Sequence, residues 1–112
     1  MTCAGRIDEE LFNEVVEVMR TTVHEKIKRS LRLCLALLAY GQMESVEPYI
    51  TKIVDDKEES FLRQAAVAML GMAYVGTCNA AVVERLLIKT CTDPGDDVKR
   101  SAAEALGYVL LG

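Results

Sequence analysis

Glycine recurs at nearly constant intervals along this chain of 112 residues. The intervals are 36, 35 and 36 residues, and the glycines that they separate are Gly5, Gly41, Gly76 and Gly112. Repeats of this length belong to architectures in which one supersecondary unit cannot bury its apolar face alone, so that the units must stack. The period therefore predicts an array of repeats whose function lies in an extended surface rather than in an active site.

The residues between these glycines repeat in chemical class as well as in spacing. Leucine stands six positions before each of the last three glycines, and a small residue follows each leucine. The resulting packing positions are Leu35, Leu70, Leu106, Ala36, Gly71 and Gly107. A second apolar register includes Val15, Ile50 and Leu86. Two registers in one unit predict two helices, and we divide the chain, as one fragment of an array, into repeats at 5–40, 41–75 and 76–112.

Apolar residues at helical spacing predict where the helices lie. The predicted segments are 9–20, 23–40, 45–54, 58–75, 79–91 and 97–111. The expected N-caps are Thr22, Ser45, Asp56, Asn79 and Asp96, and the repeat glycines are expected to end helices in the left-handed conformation. The helices that end at these glycines are rich in alanine and apolar on most sides, which predicts that they form one layer and their amphipathic partners another.

Charge and hydropathy exclude several classes of function. Hydrophobic residues make up 51% of the chain and charged residues 27%, and the net charge is −4. A general nucleic-acid or anionic-membrane binder needs an excess of Lys and Arg, which this chain lacks. No apolar run reaches the ~18 residues of a membrane span, and residues 1–20 do not have the pattern of a secretory signal. We therefore expect a soluble intracellular protein.

Residues that could perform chemistry are few. The four cysteines include no CxxC pair, and the chain has one histidine, His24. This composition gives no support to a zinc site. We expect Cys34 and Cys91 to be buried within helices, and Cys78, in a turn, to be the most reactive thiol. The acidic clusters at 55–59 and 93–97 lie where helices begin and lack the spacing of a calcium loop. The sequence thus predicts no catalytic, cofactor-binding or metal-binding residue, and no enzyme.

A set of cations shares one register of the repeat. These residues are Lys28, Arg63 and Lys99, with Arg29 and Arg100 adjacent to the first and last of them. Stacking would place them on a common edge of the array. The simpler interpretation is that they pair with acidic residues such as Asp97 and Glu59 on neighbouring repeats, because repeat proteins depend on contacts between repeats. The alternative is that this edge docks an acidic partner.

The same stretches resemble the proteasome/cyclosome repeat family. The first is His24-Glu25-Lys26-Ile27, continuing to Ala36-Leu37 and Tyr40-Gly41. The second is Leu62-Arg63, continuing to Met72-Ala73-Tyr74 and Gly76-Thr77. The third is Asp96-Asp97-Val98-Lys99-Arg100-Ser101-Ala102, continuing to Ala105-Leu106-Gly107-Tyr108-Val109-Leu110.

The resemblance implies a curved α-solenoid of HEAT-like helix pairs without catalytic activity. It implies a scaffold segment in the base of the proteasome regulatory particle, contacting the ATPase ring and ubiquitin receptors in the cytoplasm and nucleus, and so supporting ubiquitin-dependent degradation. No nucleic acid, membrane or cofactor is implied. The alternative is a HEAT-like adaptor of another assembly, such as the cyclosome. In either case we expect an isolated fragment to self-associate through its uncovered terminal repeats.

Overall fold

The computed structural model of the chain describes residues 9–54, 56 and 59–111, apart from the side chain of residue 44. Six α-helices and one short turn of 3-10 helix account for most of this part, and none of it is a β-strand. The elements are α1 (Glu9–Thr21), α2 (Glu25–Ala39), the 3-10 turn (Met43–Val46), α3 (Glu47–Ile53), α4 (Ser60–Ala73), α5 (Ala80–Thr92) and α6 (Asp96–Leu110). The predicted all-α fold is confirmed.

The helices form two layers, as the difference in their apolar character predicted. Helix α4 packs between α2 and α6 in one layer. In the other layer, α1 packs on α2, α3 on α4 and α5 on α6. The rings of Phe12 in α1 and Tyr49 in α3 lie 5.0 Å apart between centroids and join neighbouring repeats. The pairs α1–α2, α3–α4 and α5–α6 form a stack of helix pairs.

Helix α4 is the centre of the core because it packs against α2, α3 and α6. Nine of its side chains or backbone positions are buried, including Leu62 and Leu70. Leu35 of α2 is also fully buried, whereas the equivalent Leu106 of α6 is only half-buried.

Two repeat glycines adopt the predicted left-handed conformation and tie adjacent repeats together. The φ angles of Gly41 and Gly76 are +68° and +73°, a region that side chains disfavour. Gly41 donates its N–H to the carbonyl of Met72 at 3.0 Å, and Gly76 donates to that of Tyr108 at 2.9 Å. The same hydrogen bond thus recurs from one repeat to the next. Gly5 and Gly112 lie outside the described residues.

The helix caps agree with the sequence only in part. Asn79 accepts a hydrogen bond from the Val82 N–H at 3.1 Å and caps α5 as predicted. The prediction for Thr22 is wrong, because its hydroxyl accepts the His24 N–H and α2 begins only at Glu25. Likewise Asp96 is the first residue of α6 rather than its cap. In both cases a local turn satisfies the backbone before the helix starts.

The cysteine prediction also needs correction. Cys34 and Cys91 were expected to be buried, but both are exposed, as is Cys78. Met69, which stands 35 residues after Cys34 in the central helix α4, is fully buried. None of the described helices is long and apolar enough to cross a membrane.

Candidate functional site

Arg63 is the one predicted edge cation that the structure places in the interior. Its Nε donates to Asp93 Oδ2 at 3.0 Å and its Nη2 to Oδ1 at 3.3 Å. The side chains of Arg63 and Asp93 are only 10% and 1% exposed. Nη1 also donates to the backbone oxygen of Asp56 at 2.7 Å. This fork-like pair joins α4 to the loop before α6, so Arg63 stabilises the contact between the second and third repeats.

Several neighbours determine the charge state of Asp93. Burial alone raises the pKa of its carboxyl group. The Gly95 N–H, the Arg63 guanidinium and the Lys89 ammonium all favour the ionised form, and together they lower the pKa below its ordinary value. The N–H of Gly95 donates at 2.8 Å and Lys89 Nζ lies 3.4 Å from Oδ2. Asp93 is therefore a carboxylate at neutral pH.

The other predicted cations have different surroundings. Lys28 lies 3.6 Å from Glu25 and 4.3 Å above the centre of the Phe61 ring. Arg100 contacts Asp97 at 3.4 Å in an exposed pair on the same helix. Lys99 is half-buried and has no ion-pair partner among the described residues. Pairing with Asp97 and Glu59 across repeats was expected. Instead, Arg63 pairs with Asp93 in the interior, and Lys28 and Arg100 each pair with an acidic residue on their own helix.

A cleft opens where the first turns of α2, α4 and α6 meet. It has a volume of about 250 Å³, and both Lys28 and Arg100 line it. The further lining residues are Met19, Glu25, Arg29, Arg32, Phe61, Gln64 and Asp97. Gln64 lies on its floor, within 3.4 Å of the backbone oxygen of Asp97 and of Ser101 Oγ. This end of the surface is polar and mostly cationic.

A second cleft of about 330 Å³ continues towards the other end of α4. It shares Arg29 and Arg32 with the first cleft. Its other lining residues are Leu33, Ala36, Ala68, Met72, Val75, Glu104 and Tyr108. We call the two clefts together the α4 groove. Its walls are α2 and α6, and its floor is the one stripe of α4 after Ser60 that reaches solvent, formed by Phe61, Gln64, Ala68 and Met72.

The small packing residues explain how α4 and α6 approach closely enough to form this groove. A Cβ on Gly71 would lie 2.7 Å from the Cβ and 2.9 Å from the Cα of Ala105, so no side chain fits there. Ala36, the equivalent in α2, is buried. Gly107, the equivalent in α6, has open space around it. The described residues therefore offer a free small-residue face only on the outer side of α6.

Sequence reasoning missed two important features of this surface. Arg32 was not predicted as a site residue, although Glu25, Lys28, Arg29 and Arg32 follow the i, i+3, i+4, i+7 spacing of one helix face. Glu47 was also missed. It accepts hydrogen bonds from Tyr74 Oη at 3.0 Å and from Arg85 at 2.9 Å, and it joins α3 to α4 and α5. No periodic signal marks a single residue of this kind.

No group of three or more His, Cys, Asp or Glu side chains in the described part of the chain could hold a metal ion. Every buried side-chain nitrogen or oxygen atom described has a hydrogen-bond partner. The chemistry that this surface can offer is shape, charge and apolar contact. The fold defines a helical-repeat protein.

Comparison with known proteins shows which family the chain is similar to. It is 43% identical over 107 residues to the 26S proteasome non-ATPase regulatory subunit 1 of Caenorhabditis elegans, which covers 96% of this chain and 11% of that protein. It is 39% identical over 111 residues to the 26S proteasome regulatory subunit RPN2 of Candida glabrata, which covers 99% of this chain and 12% of the relative. Identity to the Drosophila melanogaster subunit 1 is 31% over 111 residues, covering 99% of this chain and 11% of that protein. No protein-family model matches the chain.

The chain belongs to the family of these proteasome regulatory subunits and corresponds to one segment of them. It spans about a tenth of the length of the curated relatives that it matches. The resemblance found in the sequence is thereby confirmed.

Proposed function

We propose that this chain is a non-catalytic scaffold segment in the base of the 26S proteasome regulatory particle, present in the cytoplasm and nucleus. The observation that carries the proposal is the 43% identity to a regulatory subunit over 96% of the chain. In this role the segment organises the ATPase ring and the substrate-receptor subunits and so supports ubiquitin-dependent degradation. No residue of the chain performs catalysis.

The packing of the repeats suits a scaffold. Each pair of neighbouring repeats shares a glycine hydrogen bond, at Gly41 and Gly76. The buried Arg63–Asp93 pair adds a polar contact with fixed geometry between the second and third repeats. Contacts of this kind between neighbours set the curvature and rigidity of a repeat array. A rigid array can hold bound subunits at defined separations.

The proposal is tested by affinity purification of the tagged full-length protein from its native cells in the presence of ATP, followed by mass spectrometry. We expect to recover the proteasomal ATPases and core-particle subunits, with untagged cells as the control. Recovery of another assembly without any of these subunits would contradict the proposal and favour the alternative, a HEAT-like adaptor of a complex such as the cyclosome.

We also propose that the isolated 112-residue chain self-associates through the outer face of α6. Leu110 and Leu111 are 53% and 59% exposed, and Gly107 near them is open. A repeat that normally covers such a face would bury these side chains. Multi-angle light scattering at increasing concentration should show a rising average mass. A constant monomer mass up to millimolar concentration would contradict this proposal.

A further inference from the structure

The α4 groove has a cationic end despite the net charge of −4 on the whole chain. Four cations and two carboxylates line the cleft at this end. Glu25 and Asp97 lie near Lys28 and Arg100 respectively. Arg29 and Arg32 have no ion-pair or hydrogen-bond partner within the part of the chain that the structure describes. A surplus of two positive charges therefore remains at the entrance and middle of the groove.

The other end of the groove is apolar. Ala68 and Met72 form its floor, and Leu33, Val75 and Tyr108 form its sides. Leu33 is 60% exposed and Tyr108 46% exposed, which is high for large apolar side chains in a packed fold. Glu104 is the only acidic residue that lines this end. An apolar group of a ligand would bury this surface, and that burial would favour binding.

The dimensions of the groove suit an extended segment of chain. From Phe61 to Met72 the floor advances 11 residues, which at 1.5 Å per residue is about 17 Å. At ~3.3 Å per residue in an extended conformation, about five residues cover this length. Concave surfaces along stacked helices are the usual binding surfaces of repeat proteins.

We propose that the α4 groove binds an extended peptide segment of a partner protein, with acidic residues at the Phe61 end and apolar residues at the Tyr108 end. Arg29 and Arg32 contact the carboxylates, and Tyr108 and Leu33 cover the apolar side chains. A nucleic acid fits less well, because the cations occupy only one end and Lys28 already covers the face of Phe61. The proposal does not depend on the proteasomal function.

The test uses the 112-residue chain and a fluorescein-labelled hexapeptide of sequence Asp-Glu-Asp-Leu-Phe-Leu, with binding followed by fluorescence anisotropy at low salt. We expect saturable binding that weakens as salt is added, since charge contacts are screened. A peptide of the same composition with alternating acidic and apolar residues should bind at least about threefold more weakly, because it cannot satisfy both ends of the groove.

Two pairs of variants locate the binding. The double charge reversal Arg29→Glu with Arg32→Glu should weaken binding by about tenfold or more. Lys26→Glu is the matched control: it makes the same kind of charge change on an exposed residue of α2 that does not line the groove. It should change affinity by no more than about twofold. For the apolar end, Tyr108→Ser should weaken binding, and Leu87→Ser, an exposed apolar residue of α5, should not.

Circular dichroism and thermal melting check that each variant is folded. If the charge-reversed variant unfolds, Arg29→Gln with Arg32→Gln replaces it with the same expected direction. The proposal is overturned if the chain shows no saturable binding, or if Lys26→Glu weakens binding as much as the groove variants. It is also overturned if single-stranded oligothymidylate binds more tightly than the peptide and displaces it, since the groove is then a general polyanion surface.

Discussion

Replacing Asp93 with alanine should destabilise the fold more than any surface substitution. Asp93 is the acceptor for both nitrogens of the buried Arg63 fork and for the Gly95 N–H. The variant leaves the Arg63 guanidinium buried between α4 and the loop before α6, where water reaches only 10% of its side chain. The destabilisation comes mainly from leaving the guanidinium buried without a partner, rather than from losing its attraction to the carboxylate.

The contacts of Arg63 and Asp93 determine how much free energy of unfolding the substitution should cost. Removing one partner of a buried ion pair costs about 3–5 kcal/mol. Arg63 keeps its hydrogen bond to the Asp56 backbone oxygen at 2.7 Å, which favours the lower part of that range. The Gly95 N–H loses its acceptor, but Gly95 is half-exposed and water can replace it, so that this loss adds at most ~1 kcal/mol. We expect a total of about 3–4 kcal/mol, a large share of the ~5–15 kcal/mol typical of a domain.

Urea unfolding followed by circular dichroism measures this change. In an Arg63→Met background, Asp93→Ala should cost only about 1 kcal/mol, because the buried guanidinium is then absent, and the double-mutant cycle should give a coupling of about 2–3 kcal/mol. Arg100→Ala, which breaks only the exposed pair with Asp97, is the control and should change stability by less than ~0.5 kcal/mol. A cost below ~1 kcal/mol for Asp93→Ala alone, or no coupling with Arg63, would refute the reasoning.

Three further predictions concern pH, packing and thiols. Because the pKa of Asp93 is lowered in the folded state, its stabilising effect is present above the ordinary carboxyl pKa of ~3.9 and is lost as pH falls through the lower folded pKa. Urea titrations should therefore show a difference in free energy of unfolding between wild type and Asp93→Asn that is constant above about pH 5 and narrows below about pH 4. Gly71→Ala should lower the free energy of unfolding by about 1–2 kcal/mol because it overlaps Ala105, whereas Gly107→Ala, with open space, should raise it by up to ~1 kcal/mol in the same assay. Peptide mapping after brief native treatment with a maleimide should find modification at Cys34, Cys78 and Cys91.

The sequence predicted the repeat architecture well because its signals are periodic. Leu35 and Leu70 occupy equivalent positions and both are buried in the stacked layer. Gly41 and Gly76 were predicted to end helices in the left-handed conformation, and both have positive φ angles, although α4 already ends at Ala73, before Gly76. Features of this kind can be predicted from local chemistry and a constant spacing alone. The division at 5–40, 41–75 and 76–112 and the roles of the site residues remain predictions.

The features that the sequence could not predict depend on position within the array and on contacts between distant residues. Ile27 is equivalent to the fully buried Leu62 but is 41% exposed, because α4 packs between α2 and α6 whereas α2 packs against only one helix of its layer among the described residues. The exposure of Cys34 has the same cause. Arg63 pairs with Asp93, 30 residues away in a loop, and the period gave no means of choosing Asp93 over the neighbouring acidic residues. The α4 groove likewise appears only when three helices are placed side by side.

The central claim is that this chain is part of a proteasomal scaffold. Native-gel electrophoresis of an extract from cells that produce the tagged full-length protein tests it most directly, with proteasomes located in the gel by hydrolysis of a fluorogenic peptide. We predict that the tag comigrates with the peptidase bands of the capped particle. A tag found only in bands without peptidase activity would contradict the claim.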